Sequence, residues 1–358
     1  MTVDQLRLED FRPQTSLRVP SHDVRRPKFP VVDAHNHLGP AFGGDWAARP
    51  PAELMATLDE AGVETVVDLD GGQGEALSAE IERWQVAYPE RVAVFAGLDY
   101  NGWAGDPAFG EMEAARLRDS AARGARGLKV WKLLGLRARD PAGRLVAVDD
   151  PRLDPLWVAA AELDLPVVIH IADPIAFFEP MDPTNERWEE LLANPDWHFW
   201  PTRPASEPSA PGFPPFDELL AAFERLVARH SRTTFVGAHV GCAAEDLRFV
   251  GRLLDENPNL NVDIAARLGE LGRQPYSARA FFLRHADRIL FGVDTAPDPE
   301  IYAIHYRFLE TLDESFDYDT APVPGQGRWQ IHGIGLPDDV LRKVYRDNAR
   351  RILRLGQP

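Results

Sequence analysis

Eight short apolar runs, separated by amphipathic segments, constrain this chain more than any other feature. The runs are Val31–His37, Glu64–Leu69, Arg91–Leu98, Gly127–Lys132, Pro166–Ile171, Thr234–Val240, Asn261–Ala265 and Ile289–Val293. Several are rich in Val and Ile without alternation, as parallel strands covered on both faces require. Between them, segments such as Pro51–Glu60, Glu111–Arg123, Leu153–Leu163 and Phe216–Arg229 repeat apolar residues at i, i+3 and i+4. A last such segment spans Asp338–Leu353. Eight strands alternating with helices predict an α/β chain built as a (β/α)8 TIM barrel. An open doubly wound sheet is the competing arrangement, but no Gly-x-Gly-x-x-Gly turn follows the first strand. The predicted layout is an N-terminal arm, 1–28, and one barrel domain, 29–358. Long insertions are expected after strand five (about 173–215) and strand eight (about 295–336). Both hold many aromatic residues, among them Phe177, Trp188, Trp197, Trp200, Tyr302 and Trp329, and both follow strand ends where barrel enzymes place their chemistry. They read as a lid and wall over a site, or as an interface between two copies of the chain.

Asp and Glu number 56 against 39 Lys and Arg, a net charge of −17. That balance excludes a phosphate backbone or an anionic membrane as the main partner, and leaves a small-molecule substrate. Cys242 is the single cysteine, so no intrachain disulfide forms; this fits a reducing, cytoplasmic setting. Residues 1–30 carry charges throughout with no apolar run, and no window of 18 apolar residues occurs.

The chemistry concentrates at strand ends. In Asp33-Ala34-His35-Asn36-His37, period two predicts that residues 33, 35 and 37 share one face, about 6–7 Å apart per two-residue step. His170 ends strand five, His239 strand six and Asp294 strand eight, so four of ten histidines sit at such ends. Imidazoles and a carboxylate suit a divalent ion of the Zn, Mn, Fe or Co type. Strand four carries Lys129 and Lys132, which at a spacing of three face opposite sides. Trp131 and Arg267 are candidates for substrate contact, Arg267 as a clamp for an anionic group; Asp173 and Asp263 are candidates to orient ligands. Cys242 reads as a small packed residue, as no base is placed beside it by the sequence.

Taken in order, Asp33-Ala34-His35-Asn36-His37, His170, Gly237-Ala238-His239-Val240-Gly241, Phe291-Gly292-Val293-Asp294 and Asn348-Ala349-Arg350-Arg351-Ile352-Leu353 resemble the amidohydrolase superfamily. The likeness is to the amidohydrolase-related branch that includes aminocarboxymuconate semialdehyde decarboxylase, and it spans about residues 29–354. The resemblance implies one divalent metal, Zn2+ before Mn2+, Fe2+ or Co2+, held by His35, His37, His170 and Asp294. It implies Asp294 and His239 as catalytic residues, with His239 alternatively a ligand of a second metal. In binuclear members a carboxylated lysine on strand four bridges two metals, which makes Lys129 the candidate; uncarboxylated, Lys129 would bind substrate with Trp131 and Arg267. A homodimer is also expected. Two reactions use this set: hydrolysis of an amide, lactone or related carbonyl by an activated water, which the strand-four lysine favours, and non-oxidative decarboxylation of an aromatic or unsaturated acid.

Overall fold

Eight parallel strands, each followed by a helix, ring a common axis in the computed structural model, which describes residues 3–39, 44–199 and 212–356. The strands are β1 (Val31–Asn36), β2 (Val63–Asp68), β3 (Val92–Val94), β4 (Leu128–Val130), β5 (Val167–Ile169), β6 (Phe235–Gly237), β7 (Leu260–Asp263) and β8 (Ile289–Leu290). Six fall inside their predicted runs and are shorter, while β2 and β7 each begin one residue before theirs, at Val63 and Leu260. Strands β1 to β3 pair in order, as do β4 to β8, all parallel. Two seams complete the ring. Ala96 pairs with Leu128, and Lys129 N donates to Ala96 O at 2.7 Å, joining β3 to β4. Ala34 N donates to Phe291 O and Asp294 N to His35 O, both at 2.9 Å, joining β8 to β1.

The helices that follow the strands in turn are α1 (Pro51–Ala61), α2 (Gly74–Glu80), α3 (Phe109–Arg123), α4 (Asp154–Glu162), α5 (Phe216–Arg229), α6 (Leu247–Glu256), α7 (Pro275–Arg284) and α8 (Pro299–Glu310). Their apolar stripes pack on the outward strand faces, as Leu54 and Leu58 of α1 do beside Val31 and Val63. A separate inner cluster fills the barrel: Val32, Ala34, Val67, Phe95, Val168, Val236 and Leu290. Ala349, Ile352 and Leu353, from and just after α9 (Asn348–Ile352), pack into that same cluster.

Two sequence expectations change. The insertion after strand eight is not a lid throughout, because it contains α8. Asp298 caps that helix, its side chain accepting from Glu300 N at 2.8 Å, with Pro299 at the first position. Tyr302, His305 and Tyr306 therefore belong to the outer helix ring and are buried there. The strict alternation expected for residues 33, 35 and 37 also fails. Between Asp33 and Asn36 three steps of β1 match two steps of β2, and such a bulge re-aims side chains. Asp33 accepts from Val293 N, Asn36 Nδ2 and the Tyr302 hydroxyl, away from the imidazole tips; burial lifts its pKa to about 6.

The connection after β5 is a packed wall. Phe177, Phe178 and Phe199 are buried, and the Phe199 ring lies 5.3 Å from Phe178 and 5.1 Å from Phe213. Trp200 lies outside the described residues. Arg187 of this wall pairs with Glu190 at 2.8 Å and with Glu270 beyond β7, and both Arg187 and Glu270 are buried. Arg273–Glu186 and Arg328–Glu189, each 2.8 Å, tie the same wall to the connections after β7 and β8.

Gly292 sits in the β8–β1 seam, where an added Cβ would lie 2.9 Å from His35 Cβ and 3.2 Å from His35 N. We expect Gly292→Ala to lower stability by about 1–3 kcal/mol, the usual cost of overpacking, as measured by denaturant unfolding. An unchanged midpoint would show that the seam yields freely.

Candidate active site

Sites in this fold form where strands end, and the C-terminal ends here surround a cavity of about 790 Å³. His35, His37, His170, His239 and Asp294 all line it, with Trp131, Lys132 and Arg267. Asp294 is the hub. Its Oδ1 lies 3.2 Å from His37 Nε2 and 3.5 Å from His35 Nε2, and its Oδ2 lies 3.6 Å from His239 Nε2. Asp294 and His239 both stand in the left-handed backbone region, at φ 56° and 59°. That geometry is costly for non-glycine residues and persists where surrounding bonds hold it, here Asp294 N to His35 O and His239 N to Asp263 Oδ1, each 2.9 Å.

The far nitrogens of the imidazoles are each engaged, which fixes what the near ones can do. His35 Nδ1 faces Asp263 Oδ2 at 2.8 Å and His37 Nδ1 faces Asp70 Oδ1 at 2.7 Å. Carboxylates accept, so each ring can give its Nδ1–H to the supporting carboxylate and would then offer an Nε2 lone pair to a cation placed between it and Asp294. His239 Nδ1 donates to Ala265 O at 2.9 Å, leaving Nε2 as its acceptor; His170 Nε2 donates to Ala172 O at 3.0 Å, leaving Nδ1.

These donors fit a divalent ion. Ligand atoms of His35, His37 and Asp294 lie within 4.8 Å of one another. A second grouping, His35, His239 and Asp263, is equally compact. Its carboxylate is already committed, however, to His35 Nδ1 and to the backbone N–H groups of His239 and Ala265, so we assign Asp263 to support rather than ligation. His170 stands outside both groupings, its ring 4.4 Å from that of His239. Asp173, beside it, accepts from Lys132; although burial opposes ionisation, Lys132 and His170 hold Asp173 well below the usual carboxylate range.

Electrostatics differ sharply between neighbours. Burial pushes His35 down, helped by the Lys129 charge, and lowers His170 to about 4. His239 falls well below an ordinary histidine through burial and the charges of His170 and Arg267. Burial would lower His37 too, but Asp294 and Asp70 outweigh it and raise it to about 9. Burial thus holds His35, His170 and His239 in the neutral form, each with a lone pair to offer.

The two strand-four lysines part as their spacing implies. Lys132 lines the cavity, whereas Lys129 does not: it is fully buried, its Nζ 3.0 Å from His35 Nε2. A direct substrate contact for Lys129 therefore gives way to a position beneath the imidazoles. Trp131 forms cavity wall, its ring 4.8 Å from that of His37. Arg267 is buried, donates to Ala266 O at 2.8 Å, and forms no ion pair with any carboxylate of the described residues. Asp70 is the functional contact that sequence reasoning missed; the signal was an acid just past the end of β2. We expect His35→Ala and His37→Ala to abolish tight metal binding while His239→Ala retains most of it, as read by elemental analysis in moles of metal per chain. Loss of metal in the His239 variant would place that residue among the ligands.

Comparison with known proteins bears on this site. The family model described as amidohydrolase matches residues 32–355. No curated protein matches the chain. Among solved structures, 2,6-dihydroxybenzoate decarboxylase from Rhizobium aligns at 17% identity and TM-score 0.56, over 92% of this chain and 100% of that one. A dihydroxybenzoic acid decarboxylase from Polaromonas sp. JS666, with bound manganese and the inhibitor 2-nitroresorcinol, aligns at 15% identity and TM-score 0.55, over 92% and 98%. An amidohydrolase from Burkholderia multivorans aligns at 14% identity and TM-score 0.51, over 91% and 100%. At these identities the likeness to solved structures is one of fold. The family match spans nearly the whole barrel, from β1 past α9, and the chain belongs to the amidohydrolase family.

Proposed function

We propose that this chain is a metal-dependent decarboxylase of a planar carboxylic acid, aromatic or unsaturated. The observation that carries the reading is Arg267, a buried cation in the cavity wall with no ion pair among the described residues, close enough to His239 to depress its pKa. Glu190 and Glu245 feel its charge without forming an ion pair with it, and a substrate carboxylate matches the guanidinium fork. Trp131, Phe177 and Trp197 give the cavity flat apolar walls. Decarboxylases among the solved structures of the same fold add support. The preference for hydrolysis drawn from the sequence is therefore reversed.

His35, His37 and Asp294 would hold the ion, with His170 adjacent. Bound there, a divalent cation would supply a Lewis acid for substrate oxygens. The remaining work falls to side chains. Arg267 anchors and orients the acid, and the aromatic wall excludes water. Breaking the carbon–carbon bond releases carbon dioxide, and the carbon left behind takes up one proton. Asp294 and His239 are placed to carry that proton, entering from an acidic substrate hydroxyl or from solvent.

One observation favours hydrolysis instead. Burial drives Lys129 toward its neutral amine, 3.0 Å from His35 Nε2. That form would add carbon dioxide with loss of a proton, and the resulting carbamate would supply oxygen ligands of the kind a two-metal hydrolase needs.

The readings separate by product. On hydroxylated benzoic acids we expect carbon dioxide release, about one metal per chain, and no activity after chelation until metal is restored. Arg267→Ala should raise KM by about 100-fold, the loss of a charged hydrogen-bonded pair. A water-added product together with two metals per chain would sink the decarboxylase in favour of the hydrolase.

A further inference from the structure

One buried carboxylate supports two of the site histidines at once. Asp263 ends β7, its side chain 1% exposed. Its Oδ2 faces His35 Nδ1 at 2.8 Å, while Oδ1 accepts from His239 N at 2.9 Å and Ala265 N at 3.1 Å. His239 begins a run of four left-handed residues, with φ of 59°, 58°, 64° and 60° through Val240, Gly241 and Cys242. Glycine alone takes that conformation without steric cost, so the turn needs outside restraint. Asp263 supplies it at the backbone, and Ala265 O supplies it at the ring.

We propose that Asp263 is a positioning residue that selects the tautomer of His35 while pinning the turn that aims His239. An ionised carboxylate only accepts hydrogen bonds, so His35 must carry its proton on Nδ1 and keep its lone pair on Nε2. Lys129 Nζ, 3.0 Å from Nε2, is placed to donate to that lone pair. The inference rests on the metal-centre reading above, since a ligating nitrogen needs that lone pair.

The two backbone N–H groups make the idea sharply testable. In Asp263→Asn the side chain keeps its size, and its amide oxygen must stay toward His239 N and Ala265 N; the reverse orientation would set an NH2 against two donors. The NH2 then faces His35 Nδ1 and donates to it. The ring proton moves to Nε2, the atom that would ligate. One O-to-NH2 exchange inverts His35 without emptying any space.

The test uses the full chain freed of metal by chelation, with nitrogen-15 labelled histidine. Long-range proton–nitrogen spectra report which nitrogen of His35 bears the proton. The parent is expected to show Nδ1–H and Asp263→Asn to show Nε2–H, with similar melting temperatures. Titration with Mn2+ should then show affinity reduced by about 10- to 100-fold in the variant. The proposal is overturned if the parent shows Nε2–H, which needs no variant to fold. It is overturned equally if Asp263→Asn keeps Nδ1–H, or inverts the tautomer with Mn2+ affinity unchanged. A parent that binds no Mn2+ would refute the metal-centre reading, while the spectra would still decide the role of Asp263.

Discussion

The seam between β8 and β1 is the interaction on which the rest of this molecule depends. A single hydrogen bond, Asp294 N to His35 O, does two jobs. With Ala34 N to Phe291 O it joins the last strand to the first, and it sets the Asp294 carboxylate against the Nε2 atoms of His35 and His37. Gly292 is required there because β8 runs too close to His35 for any side chain. Barrel closure and the donor cluster are thus one piece of geometry. A chain that paired its strands in any open order would scatter these residues along a sheet edge.

The architecture was legible because its signal is physical and repeated. Parallel strands covered on both faces must be apolar throughout, and covering helices must carry a stripe, so eight alternations left little choice. Strand-end chemistry was legible for a related reason: His35, His37, His170, His239 and Asp294 are polar residues where apolar runs stop. What escaped was set by detail below the level of pattern. A one-residue bulge turns Asp33 away from the imidazoles, and no periodicity announces a bulge. Helix α8 was hidden by the aromatic residues around it, although Asp298 and Pro299 mark its start.

The support around the imidazoles was only half legible. Asp263 could be suspected as an acid at a strand end, but its three acceptor contacts reach β1, β6 and its own strand, and arise only from the closed ring. Arg267 stood in the sequence only as a candidate clamp; its burial, with no ion pair among the described residues, is what the fold adds. Lys129 and Lys132 were distinguishable by facing alone, but which of them meets the cavity depended on how far β4 extends, and it ends at Val130.

The packing of α9 has a consequence for how the chain is made. Ala349, Ile352 and Leu353 pack with Val32, Ala34 and Val67, so the first strands and the last helix share one interior. Those partners come from opposite ends of the chain, and such contacts demand the largest loop closures. During synthesis the early strands emerge long before the residues that complete their core. Their apolar inner faces stay uncovered until the α9 segment has been made. Such a chain is committed to late, slow consolidation, with an aggregation-prone interval before it that protection by chaperones would shorten.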